Sequence, residues 1–339
     1  MTSSATSAEP ARAGAPGRRR GRRAALRVST LIGVALGLAC GAFVIEKIVS
    51  GWSEYGDVMA RARWGWLVAA VVLATAGMST MGMVWRRIII ALGGRAGRAQ
   101  VFVWYQLGNL GKYLPGGIWP LFGRSELAVR GGASRPVAYN SVALSMGATY
   151  LCAAVVCAVL LPFVLIGQAG LGGQVWIFAL IPIGLAVLHP AVLGRVFRLS
   201  ERLLGRGSPV VVPPWLTSVG LVARHAPPWL AIGVATWFVA IAFFPDAPVV
   251  TVLFAGILSW IVGFVVVFVP GGIGVREAAF TAAASVAMPV ALAATIAIVS
   301  RLIFIAADLI GAAAAVPVAR RTARAARRAT DPNGDVDHR

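Results

Sequence analysis

The chain has 339 residues, 58% of them hydrophobic and 13% charged, with a mean hydropathy of +0.81. Soluble domains carry about 25% charged residues because their surfaces meet water, so this composition excludes a soluble globular protein and places most of the surface against lipid. The formal net charge of +19 does not imply nucleic acid. Most of its arginines lie in two tails and in loops between apolar runs, where the positive-inside rule places them, and no basic surface with interleaved aromatics stands outside those runs.

In chain order, residues 1–23 form a polar tail with Arg18, Arg19, Arg20, Arg22 and Arg23, expected to be disordered. Six runs near 27–49, 64–90, 137–166, 174–194, 228–245 and 289–317 reach the roughly 20 residues that a membrane-spanning helix needs. The first is long for a signal peptide and lacks a clean cleavage site, so it reads as an uncleaved span. Two broken stretches, about 99–131 and 249–287, each hold an apolar arm, a Pro-Gly-Gly turn and an arm carrying charge. The turns read Leu114-Pro115-Gly116-Gly117-Ile118 and Val269-Pro270-Gly271-Gly272-Ile273. Proline removes a donor and glycine loosens the backbone, so each turn interrupts a helix, which at membrane depth is tolerated only beside protein or a watery cavity. Residues 320–339 form a second basic tail, also expected to be disordered. The fold class expected is an all-α polytopic membrane protein of about six spanning helices and two broken or re-entrant Pro-Gly-Gly hairpins, with a membrane domain over 24–319.

Arginines crowd the loops after the second and fourth runs, before the third, and after the last, whereas 167–173 has no charge and 245–248 holds only Asp246. All basic loops share one side if both termini are cytoplasmic. The first hairpin then enters from the cytoplasm and the second from outside. Each half, about 24–166 and 172–319, reads helix, helix, broken hairpin, helix, and the second starts on the opposite side. That is an inverted-topology repeat, a plan on which many secondary transporters are built.

Ionisable groups inside apolar segments are costly, at about 2.5–3.5 kcal/mol each on insertion scales. Among them are Lys112, Arg124, Glu126, Arg276, Glu277, Arg301 and Asp308. The cations Lys112, Arg124 and Arg276, beside Gly116, Gly117, Gly271 and Gly272, suit an anionic group such as a lipid phosphate, because the arm that follows each turn presents free N–H groups and a positive dipole end. Glu126, Glu277, Arg301 and Asp308 suit either a structural ion-pair network or a proton site. Arg276 and Glu277 are adjacent and point different ways, so each needs another partner. Asn109 and Gln106 are placed to hydrogen-bond between helices, and Trp52, Trp64, Trp66, Trp215 and Trp229 read as interface anchors. Cys40, Cys152 and Cys157 read as small buried residues and the three histidines are far apart, so no metal or other cofactor is expected.

The stretch Gly108-Asn109-Leu110-Gly111-Lys112-Tyr113-Leu114-Pro115-Gly116-Gly117 with Gly123-Arg124, and the stretch Val269-Pro270-Gly271-Gly272-Ile273-Gly274-Val275-Arg276-Glu277, together resemble the flippase-like membrane domain of lysylphosphatidylglycerol synthases and their stand-alone bacterial relatives. The resemblance covers about 27–317. It implies a lipid-handling domain of the bacterial plasma membrane, in the full-length synthases one that moves aminoacylated phospholipid between leaflets. The soluble aminoacyl-transfer domain of those synthases has no counterpart here, so aminoacylation is not expected. The expected function is a transporter or flippase for an anionic phospholipid or lipid-linked substrate, not an enzyme, acting alone, as a homo-oligomer or with a biosynthetic partner. The rivals are a non-catalytic lipid-binding partner of a biosynthetic complex and a membrane transferase, for which Asp246 alone is a poor candidate. No nucleotide-binding Gly-x-x-x-x-Gly-Lys-Ser/Thr occurs.

Overall fold

A computed structural model describes residues 62–114, 118–165, 180–204, 210–265 and 272–330. Within them the secondary structure is helical: α1 (Trp64–Ala91), α2 (Arg98–Asn109), α3 (Trp119–Arg130), α4 (Arg135–Leu165), α5 (Leu180–Val187), α6 (Pro190–Leu204), α7 (Trp215–Ala223), α8 (Ala226–Phe243), α9 (Val249–Val265), α10 (Val275–Ala284) and α11 (Val290–Thr330). A 3₁₀ turn, Leu110–Tyr113, extends α2. Among the described residues, four segments are long and apolar enough to cross a bilayer: α1, α4, α7 with α8 taken together, and α11 to Ala323. The protein is therefore an all-α, multi-pass membrane protein. The expected run at 27–49 lies outside the described residues.

The two broken stretches fold as helical hairpins, α2–α3 and α9–α10. The longest arm, α9, has 17 residues, at the lower end of the length that can span a bilayer.

Several hydroxyls within the apolar helices are satisfied by their own backbone. Thr75, Thr149, Thr236, Ser259 and Ser300 each donate to a carbonyl three or four residues earlier, which removes the need for water at depth.

Packing follows an exchange of halves in which α1 corresponds to α8, α2 to α9, α3 to α10 and α4 to α11. The two members of the first pair, α1 and α8, pack on each other. The arm α2 packs on α11 as α9 packs on α4, and α3 and α10 each pack on the helix that follows them. The paired helices α1 and α8 run antiparallel: the Arg63 N–H donates to the Ala242 carbonyl at 3.0 Å at one end, and Gly77 faces Ala231 nearer the middle. Equivalent helices running in opposite directions make the repeat an inverted one. Small residues permit the close approach; a methyl on Gly77 stands 3.0 Å from the Ala231 Cβ.

Three stretches differ from the sequence reading. The run expected over 174–194 is not one helix in its described part, because α5 stops at Val187 and α6 begins at Pro190; proline disfavours helix before it and suits a first turn. The span expected from 228 begins instead at Trp215, and Pro227 and Pro228 sit in the first turn of α8, where a missing N–H costs nothing. At the C-terminus, α11 continues through Arg320 to Thr330, inside the stretch expected to be disordered. Ala and Arg dominate that segment and are strong helix formers. Residues 1–23 and 331–339 lie outside the described residues.

Candidate functional site

Between the two hairpins lies a cavity of about 160 Å³. Four cationic side chains line it, Lys112, Arg124, Arg276 and Arg301, and among the described residues no carboxylate does. Most of the remaining wall is aromatic or apolar, including Tyr105, Tyr113, Tyr150, Trp229 and Trp260. Both halves of the chain contribute.

Among the described residues, two carboxylates stand behind the wall. Asp308, on α11, forms an ion pair with Lys112 Nζ at 2.6 Å and accepts from Tyr113 Oη at 2.5 Å, with Asn109 Nδ2 at 3.5 Å. Three polar side chains from the first hairpin thus converge on one acid, which ties that hairpin to α11. Glu277 holds the second hairpin to the same helix: its Oε1 accepts from Arg301 Nη1 at 2.5 Å. Arg301 and Asp308 are two turns apart on one face of α11 and reach opposite hairpins.

Arg124 and Arg276 have no carboxylate partner among the described residues. Each instead lies on aromatic faces, an arrangement that favours a cation electrostatically. The Arg276 guanidinium carbon is 3.6 Å from the centre of the Trp260 ring. The corresponding atom of Arg124 is 5.3 Å from Tyr105 and 5.9 Å from Trp85, and its Nε donates to the Pro120 carbonyl at 3.2 Å. Arg124 is only 5% exposed. The two arginines are near enough to Lys112 and Tyr150 to act on both electrostatically.

A glycine seats each arginine. A methyl on Gly108 stands 2.6 Å from Arg124 Cγ and 2.8 Å from its backbone nitrogen. A methyl on Gly263 overlaps the Arg276 side chain. Both glycines lie seven residues before the proline of their own turn. This spacing was legible in the sequence and extends the repeat beyond the five residues of the turn, yet it escaped the sequence reading.

The expected site residues divide as follows. Lys112, Arg124, Gly272 and Arg276 come together on the cavity wall, with Arg301, and Gly272 has the positive φ of 66° that glycine alone adopts readily. Gly116, Gly117 and Gly271 lie outside the described residues. Glu277 and Asp308 form ion pairs behind the wall. Glu126 joins neither group: it lies on a separate groove with Leu107 and Arg130, accepts from Tyr139 Oη at 2.8 Å, and has Arg135 Nη2 at 3.8 Å. Gln106 donates to Ser79 at 3.1 Å, an interhelical bond of the expected kind.

Trp64, Trp66 and Trp215 are exposed as interface anchors should be, but Trp229 is only 1% exposed and lines the cavity. Its indole donates to the Thr149 carbonyl at 2.8 Å. It lies inside the membrane because the span begins at Trp215. The aromatic wall had no signal in the sequence, since these residues look like ordinary core when their neighbours are unknown. Cys152 and Cys157 are buried free thiols.

An electropositive, aromatic-walled cavity held between inverted repeats is suited to gripping an anion at membrane depth. No curated protein matches the chain. A family model for the lysylphosphatidylglycerol synthase TM region matches residues 30–311, most of its length, and the chain belongs to that family.

Proposed function

We propose that this membrane protein carries an anionic lipid between leaflets, holding the headgroup in the cavity between its hairpins, and that it is a transporter and not an enzyme. The observation that carries this reading is the wall itself, with four cationic side chains toward the cavity and both nearby carboxylates behind it. Arginine offers a planar fork matched to phosphate oxygens. The inverted arrangement supports alternating access around a fixed site, and membership of the family supports a lipid-related role. The proposed setting is the bacterial plasma membrane with both termini cytoplasmic, where lipid is the principal partner.

Reconstitution tests it. In proteoliposomes containing a fluorescent headgroup-labelled phosphatidylglycerol, movement between leaflets is read by dithionite quenching of the outer leaflet. The protein should accelerate exchange, and Arg124→Ala and Arg276→Ala should each slow it at least tenfold while leaving a folded, monodisperse protein. Lipid binding without accelerated exchange counts against the carrier and in favour of a non-catalytic lipid-binding role.

A further inference from the structure

We infer, building on the lipid-carrier reading above, that the headgroup taken by this cavity carries two negative charges on phosphate, as a lipid phosphomonoester or diphosphate does, and that an aminoacylated lipid is disfavoured. The charge inventory is the basis. Lys112, Arg124, Arg276 and Arg301 face the cavity, and among the described residues Asp308 and Glu277 are the carboxylates paired with this set. Among the described residues, four cations against two carboxylates leave an excess of two positive charges. The excess does not depend on which cation each acid contacts, so a ligand that displaced Asp308 from Lys112 would meet the same total.

Its location is equally specific. The balanced pairs are Lys112 with Asp308 and Arg301 with Glu277. The unbalanced cations are Arg124 and Arg276, one from each half of the chain, each resting on aromatic rings. Aromatic faces offset only part of the cost of a buried charge. A phosphate diester supplies one negative charge and leaves one arginine uncompensated. A phosphate monoester carries about −1.5 to −2 near neutral pH, and a diphosphate at least as much, so either satisfies both arginines with forked hydrogen bonds. A lysyl ester of phosphatidylglycerol bears two ammonium groups and one phosphate. Its net positive charge meets like charge in a low-dielectric site, where repulsion is poorly screened.

The test uses the full chain in detergent with added lipid, read by native mass spectrometry near pH 7.5. The lipids are dioleoyl phosphatidate, dioleoyl phosphatidylglycerol and lysyl-phosphatidylglycerol, with phosphatidylcholine as background. Phosphatidate should bind at least tenfold more tightly than phosphatidylglycerol, and lysyl-phosphatidylglycerol more weakly than either. Arg124→Gln and Arg276→Gln should each bring phosphatidate down to the level of phosphatidylglycerol. The ranking in the unmodified protein decides the matter even if a variant fails to fold. Phosphatidylglycerol within twofold of phosphatidate, or lysyl-phosphatidylglycerol the tightest, overturns the dianion while leaving a lipid carrier standing. No lipid binding above phosphatidylcholine overturns both readings. Glycerol 3-phosphate binding as tightly as phosphatidate assigns the site to a water-soluble phosphate and overturns the lipid-borne ligand.

Discussion

Gly108 and Gly263 occupy matching places in the two hairpins, yet substitution should expose a difference between them. The added methyl at Gly108 meets the backbone nitrogen of Arg124 at 2.8 Å as well as the side chain, and backbone cannot step aside cheaply. Gly108→Ala should therefore destabilise by about 1–3 kcal/mol, the usual cost of overpacking, seen as a lower melting temperature in detergent. At Gly263 the overlap is with the flexible chain of Arg276. Gly263→Ala should melt near wild type, since alanine recovers some helix propensity, while lipid binding falls because Arg276 is pushed off Trp260. The ion pairs give the opposite pattern. Asp308→Asn strands Lys112 in a buried site, a loss of about 3–5 kcal/mol, and Lys112→Gln added to it should restore most of that stability. Because Glu277 contacts Arg301, the informative double change in the second hairpin is Glu277→Gln with Arg301→Gln. If both doubles melt as low as the singles, the pairs are not what holds the hairpins to α11.

Among the elements, the C-terminal part of α11 is the clearest case for truncation. Ending the chain at Thr330 removes only residues beyond the described helix and should leave melting and detergent elution unchanged. Ending it at Ala319 removes the last turns of α11 as well, together with Arg320, Arg321, Arg324, Arg327 and Arg328. Residues of that basic segment attract anionic lipid at about 1 kcal/mol each near a membrane surface, so the shorter chain should associate less with anionic vesicles in a flotation assay. Equal flotation of the two truncations would rule this out. At this scale much was visible beforehand. The α1 and α4 boundaries fall within two residues of the runs read from hydropathy, and both hairpins fall where the Pro-Gly-Gly turns put them. What stayed hidden depends on contacts between elements. Hydropathy cannot separate a proline that starts a helix from one that breaks it, so the α7–α8 span was read too short. Adjacent charges such as Arg276 and Glu277 reveal that they diverge, but not which side chain each one meets. The aromatic wall drawn from α2, α4, α8 and α9 was out of reach for the same reason.

For the whole molecule, orientation and symmetry are the testable properties. With both termini cytoplasmic, single cysteines at Gly170 and at the exposed Asp246 on a cysteine-free background should react with an impermeant reagent in intact cells, and one at Ser208 should not. The reverse pattern would turn the molecule over. The antiparallel contact of α1 with α8 reaches further than orientation. Because the two halves are alike in plan and opposed in direction, a shape adopted by one half and a different shape adopted by the other can trade places. The trade turns a site facing one side of the bilayer into a site facing the other, and no third arrangement has to be encoded. Residues on the exchange axis keep their neighbours through such a trade, whereas residues off it must part. Gly77 and Ala231 are close to the axis, with 3.0 Å between the Ala231 Cβ and a methyl placed on Gly77. A disulfide linking cysteines at these two positions should leave lipid exchange intact. Linking Gln106 to Gly311, where a side chain of the first hairpin lies against α11, should stop exchange until reductant is added. A carrier that ignored the second bond and was arrested by the first would have its pivot in the hairpins, and α1 and α8 would be its moving parts.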